Sequence, residues 1–123
     1  MNQYMLKGLK QSKVVQKPWG YEEIWADCQN YLGKILVIEP NKKLSRQYHV
    51  LKEETIRVLN GKLILEIGPS SAIESKILLP GEIFHVVPGT IHRFCAGDER
   101  VELLEVSTSH PEDVVRLEDD YKR

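Results

Sequence analysis

A chain of 123 residues is one domain, long enough to bury a core without disulfide or metal staples. Its 17 basic and 18 acidic residues leave a net charge of −1, which lacks the basic footprint of a general nucleic-acid binder. No apolar run approaches bilayer-spanning length and the first residues carry no signal-peptide core, so Cys28 and Cys95 read as free thiols of a cytoplasmic protein.

Residues 1–13 are polar and basic and read as an N-terminal arm, ahead of one domain over residues 14–123. A Pro18-Trp19-Gly20 break precedes an aromatic-rich strand over residues 21–26, where Trp19 and Trp25 read as core or interface aromatics. A strongly apolar strand over residues 31–38 closes at Glu39-Pro40-Asn41. Further strands are predicted over residues 44–50, 54–59, 62–67, 73–79, 83–87, 91–95 and 101–106, punctuated by Pro80-Gly81, Pro88-Gly89 and Gly97-Asp98. Asn60-Gly61 between two alternating apolar runs is a hairpin signal. Closely spaced turns without helical periodicity predict an all-β sandwich or barrel. Only the tail departs from this. Ser109-x-x-Glu112 has capping-box form and Pro111 sits near a helix start, so a short C-terminal helix of one or two turns is expected after Pro111.

Residues two apart in a strand share a face, so Gln47 and His49 point the same way. Glu54 alternates with Ile56 and Val58 on an inward, apolar face, where a lone carboxylate needs a partner. A metal ion is one such partner, and His92 after the Pro88-Gly89 turn adds a nitrogen. Imidazole, carboxylate and amide oxygen suit a borderline or hard divalent ion. A satisfied polar cluster without an ion is the alternative. Cys95 reads as a small buried apolar residue and not a ligand. Glu105 shares a face with Val101 and Leu103, yet Leu104 and Val106 make the opposite face equally apolar. His85 turns inward only with Ile83 and Val87, and Phe84 with Val86 is the opposite choice. Arg46 and Arg93 adjoin ligand positions but point away by alternation.

Two runs, Gln47-x-His49-x4-Glu54-x6-Gly61 and Gly81-x5-Val87-x-Gly89-x2-His92, resemble the two motifs of the cupin superfamily, with Gln47 in the place of the first His and Val87 in that of the Pro. Within that superfamily, Lys17-Pro18-Trp19-Gly20, Leu44-Ser45-x-Gln47-x-His49, Gly89-x-x-His92-Arg93, Glu105-Val106 and the tail Arg116-Leu117-Glu118-Asp119-Asp120-Tyr121 look like the cupin domain of type II mannose-6-phosphate isomerases. Those isomerases typically carry a further His, an Arg and a Trp where this chain has Val50, Leu51, Lys52 and Ile56. The resemblance implies a conical jelly-roll β-barrel with one divalent metal ion on Gln47, His49, Glu54 and His92; zinc, manganese, iron, nickel and cobalt are not distinguished. It implies an aldose–ketose isomerase acting on a small sugar or sugar phosphate through an enediolate, with Glu105 or His85 as the base. Lys17 and Arg116 are the expected substrate-binding cations, and Arg116 would also hold enediolate charge; its alternative is an ion pair with Glu112, Asp119 or Asp120. A non-catalytic sugar- or metabolite-binding cupin and an iron-dependent cupin oxygenase are the competing classes. Open strand edges need cover, so a homodimer is expected, using the arm and the aromatic run of residues 19–25.

Overall fold

The period-two alternation becomes eleven strands in the computed structural model, which describes residues 6–122. Residues 1–5 of the expected arm lie outside the described residues. The strands are β1 (Lys13–Lys17), β2 (Gly20–Asp27), β3 (Tyr31–Ile38), β4 (Arg46–Tyr48), β5 (Glu54–Asn60), β6 (Leu63–Ile67), β7 (Glu74–Leu78), β8 (Ile83–Val86), β9 (His92–Ala96), β10 (Val101–Thr108) and β11 (Val115–Glu118). They form two antiparallel sheets of order β1-β2-β3-β10-β5-β8 and β11-β4-β9-β6-β7. From β3 onward the chain passes from one sheet to the other at almost every turn, as in a jelly roll; only β6 and β7 stay together as a hairpin.

Inward-facing residues change character along each strand. Val101 and Leu103 of β10 pair with Ile38 and Leu36 of β3, and all four are buried and apolar. One step further, Glu105 stands opposite Lys34, and Ser107 opposite Glu54 of β5. The same interior is therefore hydrocarbon at one end and charged at the other. The apolar end packs Ile38, Ile56, Val58, Leu63 and Leu103, and Trp19 and Phe94 of the same cluster border the charged pocket. Each such side chain contributes about 1.5–3 kcal/mol on burial, which anchors the sheets that carry the polar end.

Two expectations are corrected. Asn60-Gly61 does not close a hairpin, because β5 and β6 belong to opposite sheets. Gly61 instead turns the corner between them at φ 80°, and a Cβ there would lie 2.2 Å from the Arg100 carbonyl oxygen. The C-terminal helix is also not formed among the described residues. Val115-Arg116-Leu117-Glu118 pairs as a strand with β4, Val115 against Tyr48 and Arg116 against Gln47. The edge of β4 needs a partner for its backbone groups, and this long-range gain outweighs the weak local capping signal. The tail is also tied to the sheet by charge. Arg46 Nε donates to Glu118 at 2.9 Å, and Arg93 reaches Glu118 and Asp120 at 3.1 and 2.8 Å. Both arginines are buried on the face away from the ligands, where alternation put them.

Candidate metal centre and its pocket

Three sheet-to-sheet connections meet at the charged end. Gly89 N donates to the His49 carbonyl oxygen at 2.7 Å, Thr108 N to that of Glu53 at 3.0 Å, and the Asp113 side chain caps the loop after β4. His49 thus sits just past β4, Glu54 opens β5 and His92 opens β9. Their ligand atoms all lie within 4.8 Å of one another and all three side chains are buried. His49 Nε2 is 3.6 Å and His92 Nε2 3.4 Å from Glu54 Oε1.

The other ring nitrogens define what these atoms are. His49 Nδ1 is 2.6 Å from the Asp113 carbonyl oxygen, and His92 Nδ1 is 2.8 Å from that of Thr90. A carbonyl only accepts, so both Nδ1 atoms carry hydrogen and a neutral ring turns its Nε2 lone pair into the cluster. Both Nε2 atoms are buried without a hydrogen-bond partner. Two lone pairs facing one buried carboxylate are a site for a cation. Burial alone would raise the Glu54 carboxyl, but the His49 and His92 rings facing it and the charge of Lys52 hold it well below the usual carboxylate range. Burial lowers the His49 imidazolium, and the facing Glu54 carboxylate and the Asp113 carbonyl more than reverse this. The donor set fits a divalent ion, with a fourth position available from Gln47, which pairs in register with His92 and lines the same pocket. Gln47 Oε1 also accepts a 2.6 Å hydrogen bond from Ser45 Oγ, which fixes the amide's orientation.

Beyond the ligands the pocket is walled by charge. Lys52 Nζ lies between Glu54 and Glu105, at 3.3 and 3.2 Å. Burial and the nearby Glu54 charge push the Glu105 carboxyl up to about 7, against the pull of Lys52. Lys34 Nζ donates to both Glu22 oxygens at 3.3 Å, and Lys17 lies 3.8 Å from the same carboxylate. Arg116, Pro111 and Val114 of the tail form the opposite lip. Among the described residues Arg116 has no ion-pair partner, because Glu118 and Asp120 are taken by Arg46, Arg93 and Lys43. The alternative role of Arg116, an ion pair with Glu112, Asp119 or Asp120, is not formed among the described residues.

The structure brings together Gln47, His49, Glu54, His92, Glu105, Lys17 and Arg116. It does not bring His85. Phe84 and Val86 face inward, and His85 is exposed on the outer face of β8, 2.6 Å from Glu53. Cys95 also points away from the ligands, and burial raises its thiol to about 11. Sequence reasoning missed Lys52, Lys34, Glu22 and Asp113. Lys34 was findable, as a lone charge alternating with Leu36 and Ile38. Asp113 was not, because its contacts span more than sixty positions of sequence.

Known proteins agree with this architecture. The chain is 27% identical over 113 residues to the mannose-1-phosphate guanylyltransferase RfbM of Salmonella typhimurium strain LT2, covering 89% of this chain but 23% of that protein. It therefore spans about a quarter of that relative's length. Among solved structures, the capsular polysaccharide assembling protein CapF of Staphylococcus aureus superposes with a TM-score of 0.75 at 14% identity, over 88% of this chain and 34% of that one. KdgF from Halomonas sp. gives 0.69 at 15% identity over 85% and 92%. A sugar phosphate isomerase of the cupin superfamily from Silicibacter pomeroyi gives 0.61 at 21% identity over 73% and 60%. These likenesses share the fold. Residues 6–119, nearly the whole described chain, match the family described as mannose-6-phosphate isomerase C-terminal, and the chain belongs to that family of cupin domains.

Proposed function

We propose that this domain is a metal-dependent sugar-phosphate isomerase that interconverts an aldose and a ketose, acting on mannose 6-phosphate or a close relative. The observation that carries the reading is Glu105, a buried carboxylate beside the His49–Glu54–His92 cluster and inside a pocket with a cationic lip. Family membership and a relative named for mannose 1-phosphate support the substrate class.

His49, Glu54 and His92 would hold the ion, with the Gln47 oxygen as fourth ligand. Bound there, a divalent ion supplies Lewis-acid stabilisation of negative charge on neighbouring sugar oxygens. Glu54 is committed to that cluster, which leaves Glu105 to take a proton from one carbon and return it to the next. A carboxyl pushed up to about 7 is suited to both directions near neutral pH. Lys52 offsets the negative charge that Glu105 carries before it accepts the proton. Lys17 and Arg116 would hold the phosphate or the developing enediolate charge from the two lips. His85 has no part in this chemistry, because it faces away from the pocket.

The test is to incubate metal-loaded protein with aldose and ketose phosphates in deuterated water and follow isomerisation and deuterium uptake at C2. Glu105→Gln should lower turnover by about 10²–10⁴-fold, the range for one acid–base group. Saturable sugar-phosphate binding without exchange or product would replace this reading with a binding module. We also propose a homodimer built on the outer face of the six-stranded sheet, where Trp25, Val106 and Ile83 are 47%, 46% and 65% exposed. Trp19, at 3% exposure, belongs to the core.

A further inference from the structure

Asp113 grips the metal centre from the tail by two separate groups. Its main-chain oxygen accepts from His49 Nδ1 at 2.6 Å. Its carboxylate accepts from the next three backbone amides, with Oδ1 3.0 Å from Val50 N and Oδ2 2.6 and 2.8 Å from Leu51 N and Lys52 N. The loop from His49 to Lys52 is wrapped around this one residue. At the far end of the same loop, Lys52 Nζ reaches Glu54 and Glu105.

We infer that Asp113 is a positioning residue for the metal centre, setting the tautomer and direction of His49 and the placement of Lys52. The carbonyl contact decides which His49 nitrogen is free, and the carboxylate contacts decide where that carbonyl stands. Three convergent amides are a rigid anchor, because each donor has one direction and a carboxylate has lone pairs for all of them. A histidine whose Nδ1–H is held in this way offers a more basic and better aimed Nε2. The tail segment that carries Asp113 runs directly into Val114 and Arg116 at the lip of the pocket, so docking the tail sets the ligand and the lip together.

This inference rests on the metal reading above, so its test has one arm that needs no metal. Metal-free wild type, Asp113→Asn, Asp113→Ala and Glu118→Gln are titrated with Co²⁺ and followed by visible absorption. Glu118→Gln is the control, because it loosens the tail at Arg46 and Arg93 without touching the His49 loop. Both Asp113 variants should bind Co²⁺ about 10–100-fold more weakly, the usual cost of losing a partner behind a metal ligand, and the control should bind as wild type does. In the second arm, long-range ¹H–¹⁵N spectra of the metal-free proteins at pH 9 read the His49 tautomer. Wild type and Glu118→Gln should show Nδ1–H alone, and the Asp113 variants a mixture. Unchanged affinity with a pure tautomer in both Asp113 variants overturns the inference. So does equal weakening in Glu118→Gln, which would make Asp113 general tail glue. Wild type that takes up no Co²⁺ counts against the metal reading, and the tautomer arm then decides the role of Asp113 alone.

Discussion

Lys52→Met removes a charge and keeps most of a buried stem. Lys52 is 7% exposed, and its ammonium lies between two carboxylates that are themselves 3% and 4% exposed, Glu54 and Glu105. Removing one partner of a buried ionic group typically costs about 3–5 kcal/mol, because the charge left behind has no solvent. That is a large part of the roughly 5–15 kcal/mol that holds a domain folded. The protein has one escape, which is to protonate Glu105. Its carboxyl is already raised to about 7 in the folded state against 4.5 when free. A raised carboxyl binds its proton more tightly in the native state, so its contribution favours folding at low pH and is lost as pH climbs from about 4.5 through 7. Taking away Lys52 raises it further. The loss in metal-free Lys52→Met should therefore approach the full 3–5 kcal/mol range, about that for an uncompensated buried charge, at pH 8.5 and shrink at pH 5.5. Urea unfolding with a chelator present, at the two pH values, measures both. A loss equal at the two pH values, or below about 1 kcal/mol at pH 8.5, would refute the view that Lys52 neutralises a buried carboxylate pair.

Three further outcomes follow from the same geometry. His92→Ala should lose most bound divalent metal by elemental analysis, and wild type should bind it more weakly as pH falls, since protons compete for the same Nε2 lone pairs. Full occupancy in the mutant would remove His92 from the ligand set. Arg116→Ala should keep its melting temperature, because no ion pair to a described residue is lost, yet bind or turn over sugar phosphate about 10–1,000-fold less well, with Arg116→Lys recovering part. Wild-type kinetics in Arg116→Ala would show that the lip does not touch substrate. Light scattering should give a dimer mass at micromolar concentration, and Val106→Lys on the outer sheet face should shift it toward monomer; an unshifted dimer would place the interface elsewhere.

The convergence of His49, Glu54 and His92 was legible from strand parity together with the turn spacing before His92. Gln47 and His49 share a face in any extended strand, and Glu54 is fixed inward by Ile56 and Val58. Parity fails where both faces are apolar, and His85 shows it: Ile83 and Phe84 gave no preference, and the Glu53 partner that stabilises the outward choice lies in the connection before β5, far away in sequence. Glu105 had the same ambiguity, and its pairing with Lys34 resolves it inward. Turn chemistry failed for a different reason. Asn60-Gly61 specifies a tight reversal, and a reversal serves a corner between sheets as well as a hairpin within one. The tail carried a helix-start signal in Ser109 and Glu112, but the decisive partner of Val115 and Arg116 was the bare edge of β4, far away in sequence. Lys34 shows itself as a lone charge alternating with Leu36 and Ile38, but its pairing with Glu22 across the β2–β3 ladder leaves no local trace.

The weave of the strands between the two sheets has a kinetic consequence. The full set is not assembled until the sheets have closed: His49, just past β4, and His92 come with one sheet, Glu54 with the other, and Asp113 arrives from the connection between β10 and β11. Such contacts close long loops of chain, which makes folding slow and leaves the candidate metal centre among the last parts to form. Interactions absent from the transition state act on the unfolding rate. A bound ion should therefore lengthen the lifetime of the folded domain while leaving refolding almost as slow as before, and stopped-flow rates with and without Co²⁺ would expose the opposite if the centre formed early. The cluster acts as a latch on a finished barrel, and the barrel must assemble without its help.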